Sequence, residues 1–348
     1  MTKVTLNDAQ AVEKQKNESR SLKERFLSSG NNMSLLIALV AICIVMGFTS
    51  PFFWTINNWM TLLLSGAIMI IRASGVTPAM LTAGLDISQN STGAFAAITI
   101  CTATYVYEWP LSLCLLLVIA MGLGLGAVNA TLIAILKINP LIATLGTMMI
   151  FRGCAWAVNE RTQNIKDATL INMGRGRILD IPNPEGGSIF LGIPISVIIA
   201  LAIFFFIYWL LKHTGYGRKI YMIGGNETAS FLSGINAKRE KFIAYCISGV
   251  ASAYAGFLVA CQVGAALPQA GAGTEMYTIA AVVLGGLSLA GGKGNMIGTI
   301  LGCLILTVIT NGLDLNQVQS QRQLIVIGIV LIIAVLLDVI RSGALKKQ

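Results

Sequence analysis

A chain of 348 residues that is 55% hydrophobic and only 11% charged, with its charges bunched between long apolar runs, does not read as two soluble domains. The formal net charge of +9 collects at the ends of those runs, and aromatic residues make up only 7%, so the basic excess reads as topological and no nucleic-acid partner is expected. Seven cysteines (43, 101, 114, 154, 246, 261 and 303) lie in apolar stretches without CxxC spacing, and the single histidine, His213, stands beside Lys212; this pattern argues for packed thiols and against metal chemistry.

Residues 1–32 are polar and of mixed charge, and no small-residue cleavage site follows the first apolar run (Leu35 to Phe48). They are therefore expected to form a cytoplasmic tail ahead of a retained first helix. A crossing helix needs about 20 apolar residues. Runs of that kind lie near 33–50, 60–82, 90–108, 110–136, 140–159, 189–211, 242–262, 275–291, 295–313 and 323–340. The predicted fold is all-α, a polytopic membrane protein of about ten transmembrane helices, with a permease domain over 33–340 and a second short tail over 341–348. With the amino terminus inside, seventeen of the 24 lysines and arginines fall on the cytoplasmic side. The positive-inside rule then puts both termini in the cytoplasm of a bacterial inner-membrane protein.

Within the second span stands Arg72, followed by a proline at 78 that predicts a kink. This arginine could snorkel, pair with a carboxylate, or meet an anionic part of a substrate. The second and third spans join through Leu81-Thr82-Ala83-Gly84-Leu85-Asp86-Ile87-Ser88-Gln89-Asn90-Ser91. A carboxylate is costly in hydrocarbon, so Asp86 should face protein or a watery cavity, and Gly84 with the polar run after it predicts a broken helix. Asp86, Ser88, Gln89 and Asn90 are thus candidates for a translocation path or gate, the alternative being that Asp86 caps the next helix. Further on, Gly122, Gly124 and Gly126 imitate a dinucleotide fingerprint but lie in a span, where small residues permit close helix packing.

The long outer loop over about 160–188 holds Arg175, Arg177, Asp180, Pro182, Pro184, Gly186 and Gly187, and suits either a docking surface or a plain connector. The inner loop over about 212–241 is more informative. Asn226 is a good N-cap, Glu227 suits the positive first turn, and Gly234 can close a helix of about two turns at C′. That helix either packs on the membrane domain or meets a partner.

A second break occurs at Val283-Leu284-Gly285-Gly286-Leu287-Ser288-Leu289-Ala290-Gly291-Gly292-Lys293-Gly294-Asn295. Gly286-Leu287-Ser288-Leu289 aligns with Gly84-Leu85-Asp86-Ile87, and paired interruptions in two halves point to a transporter site, which adds Gly285, Gly286 and Ser288 to the candidate path. The glycine run is no phosphate loop. GxxxxGK[ST] would need glycine at Leu287 and Ser or Thr at Gly294.

Several runs in order resemble the permease subunits of bacterial ATP-binding-cassette importers for ribose, xylose, arabinose and galactosides, a family that includes an autoinducer-2 importer. They are Ser50-Pro51-Phe52-Phe53 with Asn57-Asn58 and Leu81 to Ser88; Asn139 to Thr147 with Phe151-Arg152-Gly153; Gly215 to Gly234 with Lys241 and Ser248-Gly249; and Glu275 through Gly292 with Gly298-Thr299 and Asn311-Gly312-Leu313. The resemblance implies a transport subunit and no enzyme, working as a homodimer or heterodimer with a second permease copy. It also implies a periplasmic or lipoprotein solute-binding protein outside and an ATP-binding-cassette ATPase inside that binds ATP and Mg, with no cofactor in this chain. Gly224, Gly225, Asn226, Glu227, Ser233, Gly234 and Lys241 would then form the ATPase-coupling loop. Arg72, Gln89 and Asn90 stand where the family usually has small or apolar residues, which implies a more polar route. An ion-coupled secondary transporter using Asp86, and an importer permease for nucleosides or branched-chain amino acids, are the competing readings. A membrane enzyme is poorly supported, since no nucleophile with base and no paired carboxylates fall at membrane depth.

Overall fold

The computed structural model describes residues 31–182 and 188–342. Most of the expected amino-terminal tail, residues 1–30, lies outside the described residues, as do Pro184, Gly186 and Gly187 of the outer loop and residues 343–348 of the carboxyl tail. The described chain is helical almost throughout. In order it forms α1 (Asn31–Thr49), α2 (Ile56–Leu81), α3 (Gln89–Tyr107), α4 (Leu111–Ala130, continued by a π turn over Thr131–Ile135) and α5 (Pro140–Val158). A segment outside the long helices follows, with β1 (Gln163–Asn164), α6 (Ala168–Arg175), β2 (Arg177–Pro182) and β3 (Ser188–Pro194), and then α7 (Ile195–His213). The remainder is α8 (Gly215–Gly225), α9 (Glu227–Leu232), α10 (Ala237–Val263), β4 (Ala265–Ala266), α11 (Glu275–Leu284), α12 (Met296–Leu315) and α13 (Ser320–Ser342).

Each of the ten predicted spans corresponds to a helix, and among the described residues seven helices are long and apolar enough to cross a membrane. The differences are instructive. α11 has ten residues, about 15 Å at the helical rise, which is half a bilayer; the predicted span 275–291 is therefore a half-helix that runs into the glycine break. The span predicted from 189 begins only at Ile195, because residues 188–194 pair antiparallel with β2, with Ile178 opposite Ile193 and Arg177 opposite Pro194. The outer loop is thus not a plain connector: it folds as helix α6 followed by this hairpin.

Burial separates interior helices from peripheral ones. In α2, α10 and α12 61% of the crossing window is buried, against 6% in α1, and α1 turns Leu36, Ile37, Val40, Ile44 and Val45 outward. Such an apolar exterior suits a hydrocarbon surround. α10 packs against α2, α3, α4 and α6 at once. The approach of α4 is set by Gly122 and Gly126, one turn apart: a Cβ would lie 2.5 Å from Val250 Cα at the first and 2.6 Å from the Tyr245 carbonyl oxygen at the second. Gly124, on another face, has nothing within 4 Å. The small-residue reading of this run therefore holds for two of its three glycines.

Candidate translocation and coupling site

Pro78 does not break α2, which runs on to Leu81; Thr82 ends it by donating its N–H to Ala79. Residues 82–88 then form a turn in which Ala83 takes a φ of 59° and Asp86 is buried, 2% exposed. Both carboxylate oxygens of Asp86 are engaged. Oδ1 accepts from the Ser88 N–H at 3.0 Å and the Ser88 hydroxyl at 2.7 Å, and Oδ2 accepts from the Ser248 hydroxyl of α10 at 2.6 Å. Asn129 of α4 donates to Ser88 Oγ at 2.8 Å and accepts from Thr147 of α5 at 2.6 Å, so four elements converge on one carboxylate. Asp86 forms a local turn with Ser88, which is itself the N-cap of α3 and has no side-chain cap bond, and a long-range network desolvates the carboxylate among hydroxyl donors. Ser248 and Thr147 entered the sequence reading only inside the family-like runs, and Asn129 not at all. Gln89 donates to the Asp86 carbonyl at 2.8 Å while its own Oε1 is buried without a hydrogen-bond partner.

Asn90 reaches the other way, donating to the Gly271 carbonyl at 2.8 Å and to Thr274 Oγ1 at 3.0 Å. It thereby holds the segment between β4 and α11 against the start of α3. Arg152 of α5 grips the same segment through Nη1, which donates to the Pro268 and Ala270 carbonyls at 2.9 and 2.8 Å, and it lies 3.6 Å from Glu275 at the head of α11. The residues between 264 and 274 therefore turn inward against α3 and α5.

The second break is built from backbone. Gly286, Gly291, Gly292 and Gly294 all have positive φ, while Ser288 is buried and its hydroxyl accepts from the Ala290 N–H at 3.3 Å. Gly285 abuts α12, where a Cβ would lie 2.4 Å from the Gly298 carbonyl oxygen.

On the predicted coupling loop, Asn226 caps α9 by accepting from the Ala229 N–H at 2.9 Å. Ser233 bonds back to the Ala229 carbonyl at 3.0 Å, and Gly234 closes the turn at φ 79°. Glu227 pairs with Lys241 at 2.6 Å, tying α9 to α10. Lys219 pairs with buried Glu240 at 2.9 Å, tying α8 to α10. Phe231 and Leu232 point outward, 72% and 81% exposed. They stand beside a groove of about 1010 Å³ lined by Lys137, Asn139, Glu227, Phe231, Gly234 and Lys241.

The two breaks and the coupling loop, which the sequence keeps about 200 and 60 residues apart, meet at one junction. The Gly292 N–H donates to the Leu81 carbonyl at 2.9 Å. A Cβ on Gly224 would lie 1.8 Å from that same carbonyl oxygen and 2.3 Å from Gly292 N, and one on Gly292 would lie 2.6 Å from Gly225 N. Tyr221 of α8 adds a bond to the Gly294 carbonyl at 2.9 Å, and burial raises its phenol above the ordinary range, which keeps the hydroxyl a donor at neutral pH. Arg72 stands apart from this junction, nine residues before Leu81 in α2.

A helical bundle with interrupted spans, polar groups buried at the breaks and a surface helix, α8, in contact with both defines a membrane transport permease. The chain belongs to the family described as branched-chain amino acid transport system / permease component, whose model matches residues 58–335. It is 37% identical to the ribose import permease protein of Escherichia coli (strain K12) over 87% of this chain and 92% of that one. It is 38% identical to the ribose import permease protein of Bacillus subtilis (strain 168), over 87% and 91%, and 35% identical to the D-allose transport system permease protein of Escherichia coli (strain K12), over 86% and 89%. No solved structure matches it. It is a transport subunit and not an enzyme.

Proposed function

We propose that this chain is the membrane-spanning subunit of an importer for a monosaccharide or related small polar solute, working by alternating access and driven by a separate ATP-binding-cassette ATPase on the cytoplasmic side. The observation that carries the reading is the junction of Gly224, Leu81 and Gly292, where a cytoplasmic helix pair touches both interrupted spans through backbone atoms. In this reading the ATPase seats on Phe231 and Leu232 and the adjoining groove. Its closure on ATP and Mg moves α9, held at both ends and braced by Lys241, together with α8, and the junction passes the displacement to the turns at 82–88 and 285–295.

The substrate class is supported by the ribose and allose permeases that the chain resembles over most of its length. A periplasmic or lipoprotein solute-binding protein would deliver the solute to the outer face that bears α6 and the β2–β3 hairpin. A second permease copy would complete the passage, and lipid would cover α1 and the other apolar peripheral faces. Both termini then lie in the cytoplasm, with 1–32 and 341–348 as tails. Asp86 acts in this scheme as the fixed centre of the first turn, its oxygens held by Ser88 and Ser248.

The test is uptake in proteoliposomes holding the permease with its ATPase and binding protein. Uptake should require ATP hydrolysis and persist when the membrane potential is collapsed at constant ATP. Deleting Asn226 to Gly234 should abolish it while the protein still inserts. Uptake that stops with the potential alone, or that survives the deletion, would defeat the reading.

A further inference from the structure

Arg72 of α2 is partly exposed, and among the described residues none pairs with its guanidinium. Arg72 lies on α2 between two residues whose packing is known. Met69, three residues earlier, meets α12 through Cys303 and Thr307, and Gly75, three residues later, packs on Ala251 of α10, where a Cβ would lie 2.2 Å from the Ala251 Cβ. At about 100° per residue, Arg72 is turned about 60° from each, so it points between α10 and α12. α11 packs against both α2 and α12.

The charges facing this space are Arg152 from α5, whose guanidinium opposes that of Arg72, and Glu275 from α11, already paired with Arg152. Asp86 is consumed by its serines. Arg72 Nε is buried without a hydrogen-bond partner, and among the described residues no carboxylate forms an ion pair with this side chain. A guanidinium left unpaired at membrane depth is costly, and arginine presents several donors in a planar fork that fits a carboxylate or a phosphate.

We infer that the solute carried by this permease is a hydroxylated molecule with an anionic group, a carboxylate or a phosphate, which Arg72 meets in the interior of the bundle. The inference rests on the importer reading and deepens it.

The experiment uses the permease reconstituted with its ATPase and binding protein, and a panel of five- and six-carbon aldoses, the matching aldonates and the matching terminal phosphates. Wild-type protein should accumulate an aldonate or a sugar phosphate in preference to the neutral aldose, and which of the two it prefers distinguishes carboxylate from phosphate. Arg72→Met should lower uptake of the anionic probe about tenfold or more and shift the ratio of anionic to neutral uptake toward the neutral aldose, with Arg72→Lys intermediate. Arg72→Met should also melt no lower than wild type, since it removes a charge that no protein group compensates. Accumulation of neutral aldoses alone would overturn the inference and leave the importer reading intact. Equal loss on neutral and anionic probes, or a lowered melting temperature, would assign Arg72 to contact with lipid or the second copy and overturn it too. No ATP-dependent uptake of any probe would overturn both readings.

Discussion

The two turns that interrupt the bundle occupy corresponding positions, after α2 and after α11, yet they are held by different physics. The turn at 82–88 is pinned by side chains, with one buried carboxylate gathering donors from its own turn and from α10, and with α4 and α5 joined through Asn129 and Thr147. The turn at 285–295 is shaped by backbone, with Gly291 and Gly292 at φ 81° and 68° pressed on Ala83 and Gly225. A side-chain network resists displacement as a unit, because moving one partner strands the others. Glycine backbone can follow a moving neighbour but tolerates no added atom. The pairing therefore joins an anchored turn to a compliant one through the bond from Gly292 N–H to the Leu81 carbonyl.

Substitutions should separate these two kinds of hold. Gly292→Val should be the most damaging, combining a strained positive φ with a clash against Gly225, for a loss of about 3 kcal/mol or more, read as a fall in the melting temperature of the purified protein. Asp86→Ala should cost about 2 kcal/mol, because it leaves the Ser88 and Ser248 donors buried without an acceptor, whereas Asp86→Asn keeps an acceptor oxygen and should lose about half as much. If alanine and asparagine are equally tolerated, the first turn is not anchored by this network. Tyr221→Phe removes one neutral hydrogen bond to the compliant turn and should cost about 1 kcal/mol. Glu227→Gln loosens the half-exposed pair with Lys241 and should change stability by no more than about 0.5 kcal/mol; its effect should be seen in transport at low salt, fade at high salt, and not be seen in melting.

What could be read from the sequence follows the range of the forces involved. The crossing helices were legible because each is a contiguous apolar run. Helix α9 was legible because its signals are local: Asn226 and Gly234 act on backbone groups a few residues away. Helix α8 was not, since Gly215, Gly217, Gly224 and Gly225 argue for a loop; docking on α9's neighbours and on the Leu81 carbonyl overrides their low propensity. The inward segment gripped by Arg152 and Asn90 went unseen because its ties join residues more than 100 positions apart. The partners of Asp86 were hidden for the same reason, Ser248 being 162 residues away. Arg72 was conspicuous in the sequence, but only the packing of Met69 and Gly75 on either side shows which way it points.

The central claim is that the glycine junction transmits work from the ATPase to the interrupted spans. Gly224→Ala tests it most directly, since one Cβ there would meet both the Leu81 carbonyl and the Gly292 N–H. In proteoliposomes assembled with the ATPase and binding protein, ATP hydrolysis and solute uptake are measured on the same preparation. Hydrolysis near the wild-type rate with uptake reduced about tenfold or more is the expected result, equal to about 1.4 kcal/mol in the coupled step. Uptake and hydrolysis that fall in the same proportion, or uptake that is unchanged, would contradict it.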